Sequence, residues 1–139
     1  MATLQLSSGL KARIESWVRE GYPCETCGLL IGRQANGTVA VADVMASRNL
    51  NRDRARDRFE LDPEIFLAAD QKARAAGLEV VGVWHSHPDH PARPSETDRS
   101  LAWPGWSYLI LSVSGDGVHD FRSWRLADDR FLEEEVIAS

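Results

Sequence analysis

Leu78-Glu79-Val80-Val81-Gly82-Val83-Trp84-His85-Ser86-His87-Pro88 is an apolar run that ends in two histidines one residue apart, and Pro94-Ser95-Glu96-Thr97-Asp98 follows it. The β-branched content of Leu78–His87 predicts a strand. Strand side chains alternate, so Val81, Val83, His85 and His87 are expected on one face, with Val80, Gly82, Trp84 and Ser86 on the other. Residues two apart on one face lie about 7 Å apart at Cα. Two imidazoles at that spacing can lean onto one ion. Asp98 then returns a carboxylate after a loop stiffened by Pro88, Pro91 and Pro94. Three ligands with a fourth position open to water are what a catalytic zinc site needs.

Outward from this strand, the pattern mixes helix and strand. Leu10, Ile14, Trp17 and Val18 form a helical stripe over residues 7–20, capped by Ser7 or Ser8 and stopped by Gly21-Tyr22-Pro23. Residues 25–33 read as a strand, Asn36-Gly37 as a hairpin turn, and Thr38–Met45 as the return strand. Arg48 to Arg58 carries five arginines with almost no apolar residues and reads as an exposed connection. Phe59–Leu61 is expected as a short strand. Asp62-Pro63 opens a helix from Glu64 to Ala76, with Ile65, Phe66, Ala69 and Ala73 inward and Gly77 at its end. Strands are expected at Tyr108–Val113 and Val118–Leu126, with a last strand or short element at Phe131–Ile137. A single domain spanning 1–139, α/β or α+β and built on one sheet, is the expectation.

Composition narrows the function classes. A net charge of −5 gives no basic footprint for general nucleic-acid binding. No apolar run approaches the roughly 20 residues that cross a bilayer, and the first residues do not read as a signal peptide. Cys24 and Cys27 are poorly spaced for a structural disulfide, so a cytoplasmic location is expected.

Other readings of these residues stand beside the zinc site. Ser95-Glu96-Thr97-Asp98 matches a helix capping box, which would turn Asp98 back onto its own backbone. His90 is an alternative ligand, and His119 reads as a surface residue. Pro23-Cys24-Glu25-Thr26-Cys27 is half of a zinc deaminase signature, but no histidine precedes residue 85 to supply the other half. A zinc site built from Cys24, Cys27, His85 and His87 needs both cysteines on one side, and an extended chain points them apart. A redox pair is a further reading of the cysteines, although such motifs open a helix and this one opens a strand.

Hydrolysis at such a site also needs a base that takes the proton of water and passes it to a leaving amine. Glu25, a charge at the entry of an apolar strand, is the candidate. A hydroxyl donor for the developing oxyanion is available in Ser95. A plain surface glutamate and a plain helix cap are their structural alternatives.

Together these residues resemble the JAMM (MPN-type) metallopeptidases, whose motif is an upstream glutamate, then H-x-H-P, then a loop ending P-S-x-x-D. Here they are Glu25, His85-Ser86-His87-Pro88 and Pro94-Ser95-Glu96-Thr97-Asp98, and the likeness extends to Arg58-Phe59-Glu60-Leu61-Asp62-Pro63 and the strand after Trp106. The resemblance implies a cytidine-deaminase-like fold with a single curved mixed sheet flanked by helices. It implies one zinc ion per chain on His85, His87 and Asp98, with Glu25 as general acid/base and Ser95 stabilising the tetrahedral intermediate. The short length is similar to bacterial members that act on ubiquitin-like sulfur-carrier proteins, releasing a residue such as cysteine after a C-terminal Gly-Gly tail. On that reading the arginine-rich segment faces an acidic carrier or is simply solvated. A non-catalytic scaffold, a broader deubiquitinase and a dipeptide hydrolase are the alternatives.

Overall fold

A computed structural model describes residues 2–139 of the chain. The element order is β1 (Thr3–Gln5), α1 (Ser8–Gly21), β2 (Cys27–Ala35), β3 (Thr38–Ser47), α2 (Pro63–Ala75), β4 (Glu79–Pro88), α3 (Glu96–Leu101), β5 (Ser107–Ser114), β6 (Gly117–Ala127) and β7 (Arg130–Ile137).

The strands are ordered β1-β3-β2-β4-β5-β6-β7, and the sheet closes. Closure is the work of β1, which pairs in parallel with β3 on one side and β7 on the other. The expected single curved mixed sheet is present as a mixed sheet, and it closes into a barrel. Three residues carry no readable period, which is why β1 is missing from the sequence reading. Between β2 and β3, Asn36 and Gly37 both take positive φ, 54° and 79°, as the predicted tight hairpin requires.

Two apolar layers hold the sheet. On one side Ile14 and Val18 of α1 pack with Leu30, Val44, Trp84, Leu109 and Leu111. Trp17 stacks on Trp84, with ring centroids 5.6 Å apart. On the other side Ala69 and Ala73 of α2 meet Leu29, Ile31, Val80, Val83 and Tyr108. Phe66, expected inward, is instead partly exposed and lies against Trp106.

Strand β4 departs from simple alternation. Its register against β2 shifts between Leu30, opposite Gly82, and Ile31, opposite Val80. The bulge flips the side chains before it, so Val80 joins Val83 and the α2 layer, whereas Val81 joins Trp84 and the α1 layer. The expected row Val81–Val83–His85–His87 therefore begins at Val83. Phe59–Leu61 forms no strand and only a single bridge, Leu61 with Asn49.

Strands β4 and β5 are parallel, and a parallel pair needs a long crossover. That crossover, residues 89–106, leaves the carboxyl end of β4 beside the two histidines and carries α3 back past them. Ligand sites of α/β folds, open or closed, gather at the carboxyl ends of parallel strands. Among the described residues, no helix is long and apolar enough to cross a membrane.

Candidate metal centre and active site

His85 and His87 end β4, and both are buried. Their rings lie 5.0 Å apart at an angle of 54°. Phe59 stacks on His85 at 4.4 Å, which fixes the plane of that ring. His87 Nδ1 lies 2.9 Å from the Pro91 carbonyl. A carbonyl only accepts, so Nδ1 carries the proton and Nε2 is the free lone pair of the neutral ring. Metal-binding histidines are commonly oriented by such a bond from the other nitrogen.

Asp98 meets both rings. Its Oδ2 is 3.1 Å from His87 Nε2, and its Oδ1 is 3.9 Å from His85 Nε2. The same carboxylate accepts the Ser95 backbone N–H at 2.8 Å, while Ser95 Oγ accepts the Asp98 N–H at 3.0 Å. The capping box and the ligand reading of Asp98 are therefore not rivals: one oxygen turns back to the cap and still faces the rings. Because the Ser95 oxygen only accepts in this pair, its O–H stays free to donate.

Glu25 precedes β2 and is buried beside the histidines, with Oε1 3.6 Å from His85 Nδ1. Its backbone is pinned from several directions. The Glu25 N–H donates to the Ala55 carbonyl, and Asn49 Nδ2 donates to the Glu25 carbonyl at 3.1 Å. Next door, Ser86 Oγ accepts the Thr26 N–H at 2.9 Å, and the Ser86 N–H donates back to the Thr26 carbonyl. Ser86, the residue between the two histidines, thus ties their strand to the loop that carries Glu25. Asn49 also donates to the Arg58 carbonyl and accepts the N–H groups of Asn51 and Glu60. Neither Asn49, Ser86 nor Phe59 stands out in the sequence as a site residue. Only a polar residue at the end of a strand, Asn49 near Ser47, offers any signal.

The donor set fits a cation. Both ring nitrogens of His85 and Oε1 of Glu25 are buried with no hydrogen-bond partner. Buried polar atoms are seldom left so. Ligand atoms of Glu25, His85 and His87 all lie within 4.8 Å of one another, so the cluster can hold a metal. By that proximity Glu25 ranks with the rings, whereas Asp98 is the group that faces Nε2 of both. Two imidazoles and carboxylate oxygens are a donor set suited to zinc.

The electrostatics favour a positive charge beside Asp98. Burial pulls the His87 imidazolium toward the neutral form, but Asp98 and the Pro91 carbonyl outweigh it and raise its pKa. Burial pushes the Asp98 carboxyl up, yet His85, His87 and the Ser95 N–H hold it well below the usual carboxylate range. A lone pair facing a carboxylate at 3.1 Å requires a positive charge between them, either a proton or a metal ion.

The cysteine-based sites do not form. Cys27 is buried next to the Arg48 carbonyl, its thiol pushed up to about 12 by burial and by the Glu25 charge. A thiol so hard to ionise is a poor metal ligand. Both cysteines are free, and neither joins the metal-competent cluster among the described residues. His90 lies in the neighbouring loop, and His119 contacts Ser114 on the surface.

Two recesses flank the cluster. An apolar groove of ≈ 410 Å³ runs from His85 and Asp98 along Phe66, Leu101, Trp103, Trp106 and Tyr108. A smaller polar recess of ≈ 300 Å³ opens on Glu25, His87 and Ser95, walled by Arg58 and Arg93.

A mixed sheet flanked by helices is the architecture of the JAB (MPN) fold family. Residues 7–127 match the family described as "Prokaryotic homologs of the JAB domain", and the chain belongs to that family. It is 38% identical over 117 residues to a protein named desampylase from Haloferax volcanii, which spans 81% of this chain and 82% of that protein. It is 30% identical over 119 residues to the CysO-cysteine peptidase of Mycobacterium tuberculosis, covering 85% of this chain and 79% of that protein. The solution structure of a Desulfitobacterium hafniense protein superposes with a TM-score of 0.85 at 34% identity, over 100% of this chain and 93% of that one.

Proposed function

We propose that this chain, as one domain over residues 1–139, is a zinc peptidase that hydrolyses the bond after the C-terminal Gly-Gly of a small ubiquitin-like sulfur-carrier protein. In this reading His85, His87 and Asp98 hold one zinc ion, Glu25 is the general acid/base, and Ser95 stabilises the oxyanion. The single observation that carries it is the convergence of four buried or half-buried side chains around unpartnered ring nitrogens at the end of β4. The relatives' names, desampylase and CysO-cysteine peptidase, supply the substrate class.

Bound there, zinc supplies Lewis-acid polarisation and lowers the pKa of water to about 7. The chain's own residues do the rest. Glu25 takes the proton of the attacking water and delivers it to the leaving amine nitrogen as the C–N bond breaks. Its carboxylate is buried beside His85, within reach of a group brought against the cluster. The free Ser95 O–H donates to the carbonyl oxygen as it gathers charge. Phe59 and the Pro91 carbonyl keep the two imidazoles oriented, so no reorganisation is required during the reaction. The apolar groove beside His85 receives the extended carrier tail, whose glycines let the backbone lie close to the sheet. Two free cysteines accord with a cytoplasmic setting.

The test is mass spectrometry of a carrier–cysteine adduct after incubation with the zinc-loaded protein. Loss of the terminal cysteine is expected, and full activity in the metal-free protein would refute the reading. Ubiquitin chains and free dipeptides, tested under the same condition, rank the broader alternatives. An adduct left intact in the presence of zinc supports a binding module instead.

A further inference from the structure

We infer that the polar recess beside Glu25 is a carboxylate-binding subsite, in which Arg93, assisted by Arg58, holds the free α-carboxylate of the amino acid leaving the carrier. This rests on the peptidase reading and deepens it. It makes an α-linked terminal amino acid the preferred leaving group over a lysine side chain.

The two recesses differ in chemistry and in which part of the catalytic cluster they reach. Glu25 and His87 line the polar recess, whereas His85 and Asp98 line the apolar groove. The residue that hands a proton to the departing amine must touch the amine side of the scissile bond. Glu25 therefore assigns the polar recess to the leaving group and leaves the apolar groove to the acyl side.

An amino acid in α-linkage carries its carboxylate one carbon from the scissile nitrogen. A subsite for it needs a cation close to the base and room for one residue. At ≈ 300 Å³ the recess is at the small end of ligand pockets. Two cations are available in it, because Arg58 and Arg93 line the recess beside the carboxylates of Glu25 and Asp57. The Arg93 side chain makes no ion pair and no hydrogen bond among the described residues, although it opens on the recess. Arg58 gives one bond to the Asp57 carbonyl and stands 3.8 Å from the Asp57 carboxylate. That carboxylate is already gripped by Arg54 through two nitrogens, so it leaves the Arg58 charge only partly answered. A guanidinium prefers a carboxylate partner, which it binds in a two-pronged, charge-assisted pair. A lysine isopeptide presents only a methylene chain at the same place, leaving Arg93 without a partner and Arg58 only partly answered.

Binding can be read without catalysis. The zinc-loaded full chain carrying Glu25→Gln is titrated by NMR with acetyl-Gly-Gly-Ala and with its C-terminal carboxamide, a pair that lacks a thiol to compete for the metal. The free acid is expected to bind about tenfold more tightly than the amide. Adding Arg93→Gln should remove most of that preference while leaving the affinity for the amide unchanged, and Arg58→Gln on top should remove the remainder. Equal affinity for acid and amide, including no binding of either, overturns the subsite. So does a preference that survives both arginine substitutions, which would place the carboxylate on the metal. If the wild-type enzyme cuts no carrier adduct while the acid preference and its loss are still seen, the peptidase reading has failed and the subsite has not.

Discussion

Ser86 Oγ accepts a hydrogen bond from the backbone N–H of Thr26 at 2.9 Å, linking the histidine strand to the loop that holds Glu25. The pair works because strand side chains alternate. His85 and His87 face the metal cluster, so the residue between them points the other way, toward the base of the Glu25 loop. The histidine pair and Glu25 are thereby held relative to each other by this hydroxyl together with the Ser86 N–H bond to the Thr26 carbonyl. Ser86→Ala removes the acceptor and leaves a half-buried N–H unpaired, at a cost of about 1–3 kcal/mol. Zinc content should remain at one per chain while kcat falls, as read by metal analysis beside the adduct assay. An unchanged kcat would show that the link is only structural.

Glu25 and Asp98 are both carboxylates near the rings, and their proposed roles separate by metal retention. Glu25→Gln should keep zinc and lose roughly 10²–10⁴ in kcat. Asp98→Asn should lose much of the zinc affinity, because it removes the charge that faces both Nε2 atoms. Metal stoichiometry after dialysis decides, and the reverse pattern would exchange the two roles.

Ser95 caps α3 and is also the proposed oxyanion donor. Glycine at an N-cap costs only a few tenths of a kcal/mol, so Ser95→Gly removes the hydroxyl with little effect on the helix. A drop of about 10²–10³ in kcat is expected, with Tm nearly unchanged. Equal activity would reduce Ser95 to a cap.

Zinc binding should depend on pH through His87. In the metal-free fold its pKa is raised above the ordinary 6.5, and the ion must displace that proton. A raised histidine pKa stabilises the metal-free fold fully below about pH 6.5, and that stabilisation is lost as pH rises through the folded value. Zinc affinity moves the other way, weakening about tenfold per pH unit once His87 is protonated. The rise in Tm on adding zinc should therefore grow between pH 6 and pH 8. A zinc-induced shift independent of pH over that range would contradict the arrangement.

Gly28 lies in β2 one residue beyond Cys27, where a Cβ would stand 2.0 Å from the Met45 carbonyl oxygen and 2.4 Å from Trp84 Nε1. The Trp84 indole N–H donates to that same carbonyl at 3.1 Å. Gly28→Ala must push backbone and a fully buried tryptophan apart, with an expected loss of about 1–3 kcal/mol in thermal or urea unfolding. A neutral result would mean that β2 is free to move away from Met45 of β3 and Trp84 of β4.

Much of the site was readable because its residues carry local patterns. A β-branched run ending His85-Ser86-His87-Pro88 declares a strand and aims both rings one way. Ser95 and Asp98 declare a helix start. Asn36-Gly37 declares a turn. Each depends on neighbours a few residues away, so spacing alone conveys it. The resemblance carried by Glu25, His85, His87, Ser95 and Asp98 rests on the same short segments, and the family match agrees with it.

What the chain order left open belongs to contacts between distant segments. Closure by Thr3–Gln5 depends on edges of β3 and β7 that exist only after the sheet has formed. The bulge that moves Val81 to the other layer follows from pairing with β2, because both residues concerned are valines and either suits either face. Asn49 joins Glu25 to Arg58 by amide geometry that no periodicity announces. From its sequence Asp98 suits a cap or an ion, and folding makes the cap while leaving the carboxylate against the His87 ring, since one oxygen has lone pairs enough for the Ser95 N–H and that ring at once. The amino-acid order thus determined which side chains are available and in what local conformation. The tertiary structure decided which of them meet, because a meeting of residues sixty positions apart is set by strand register and not by spacing along the chain.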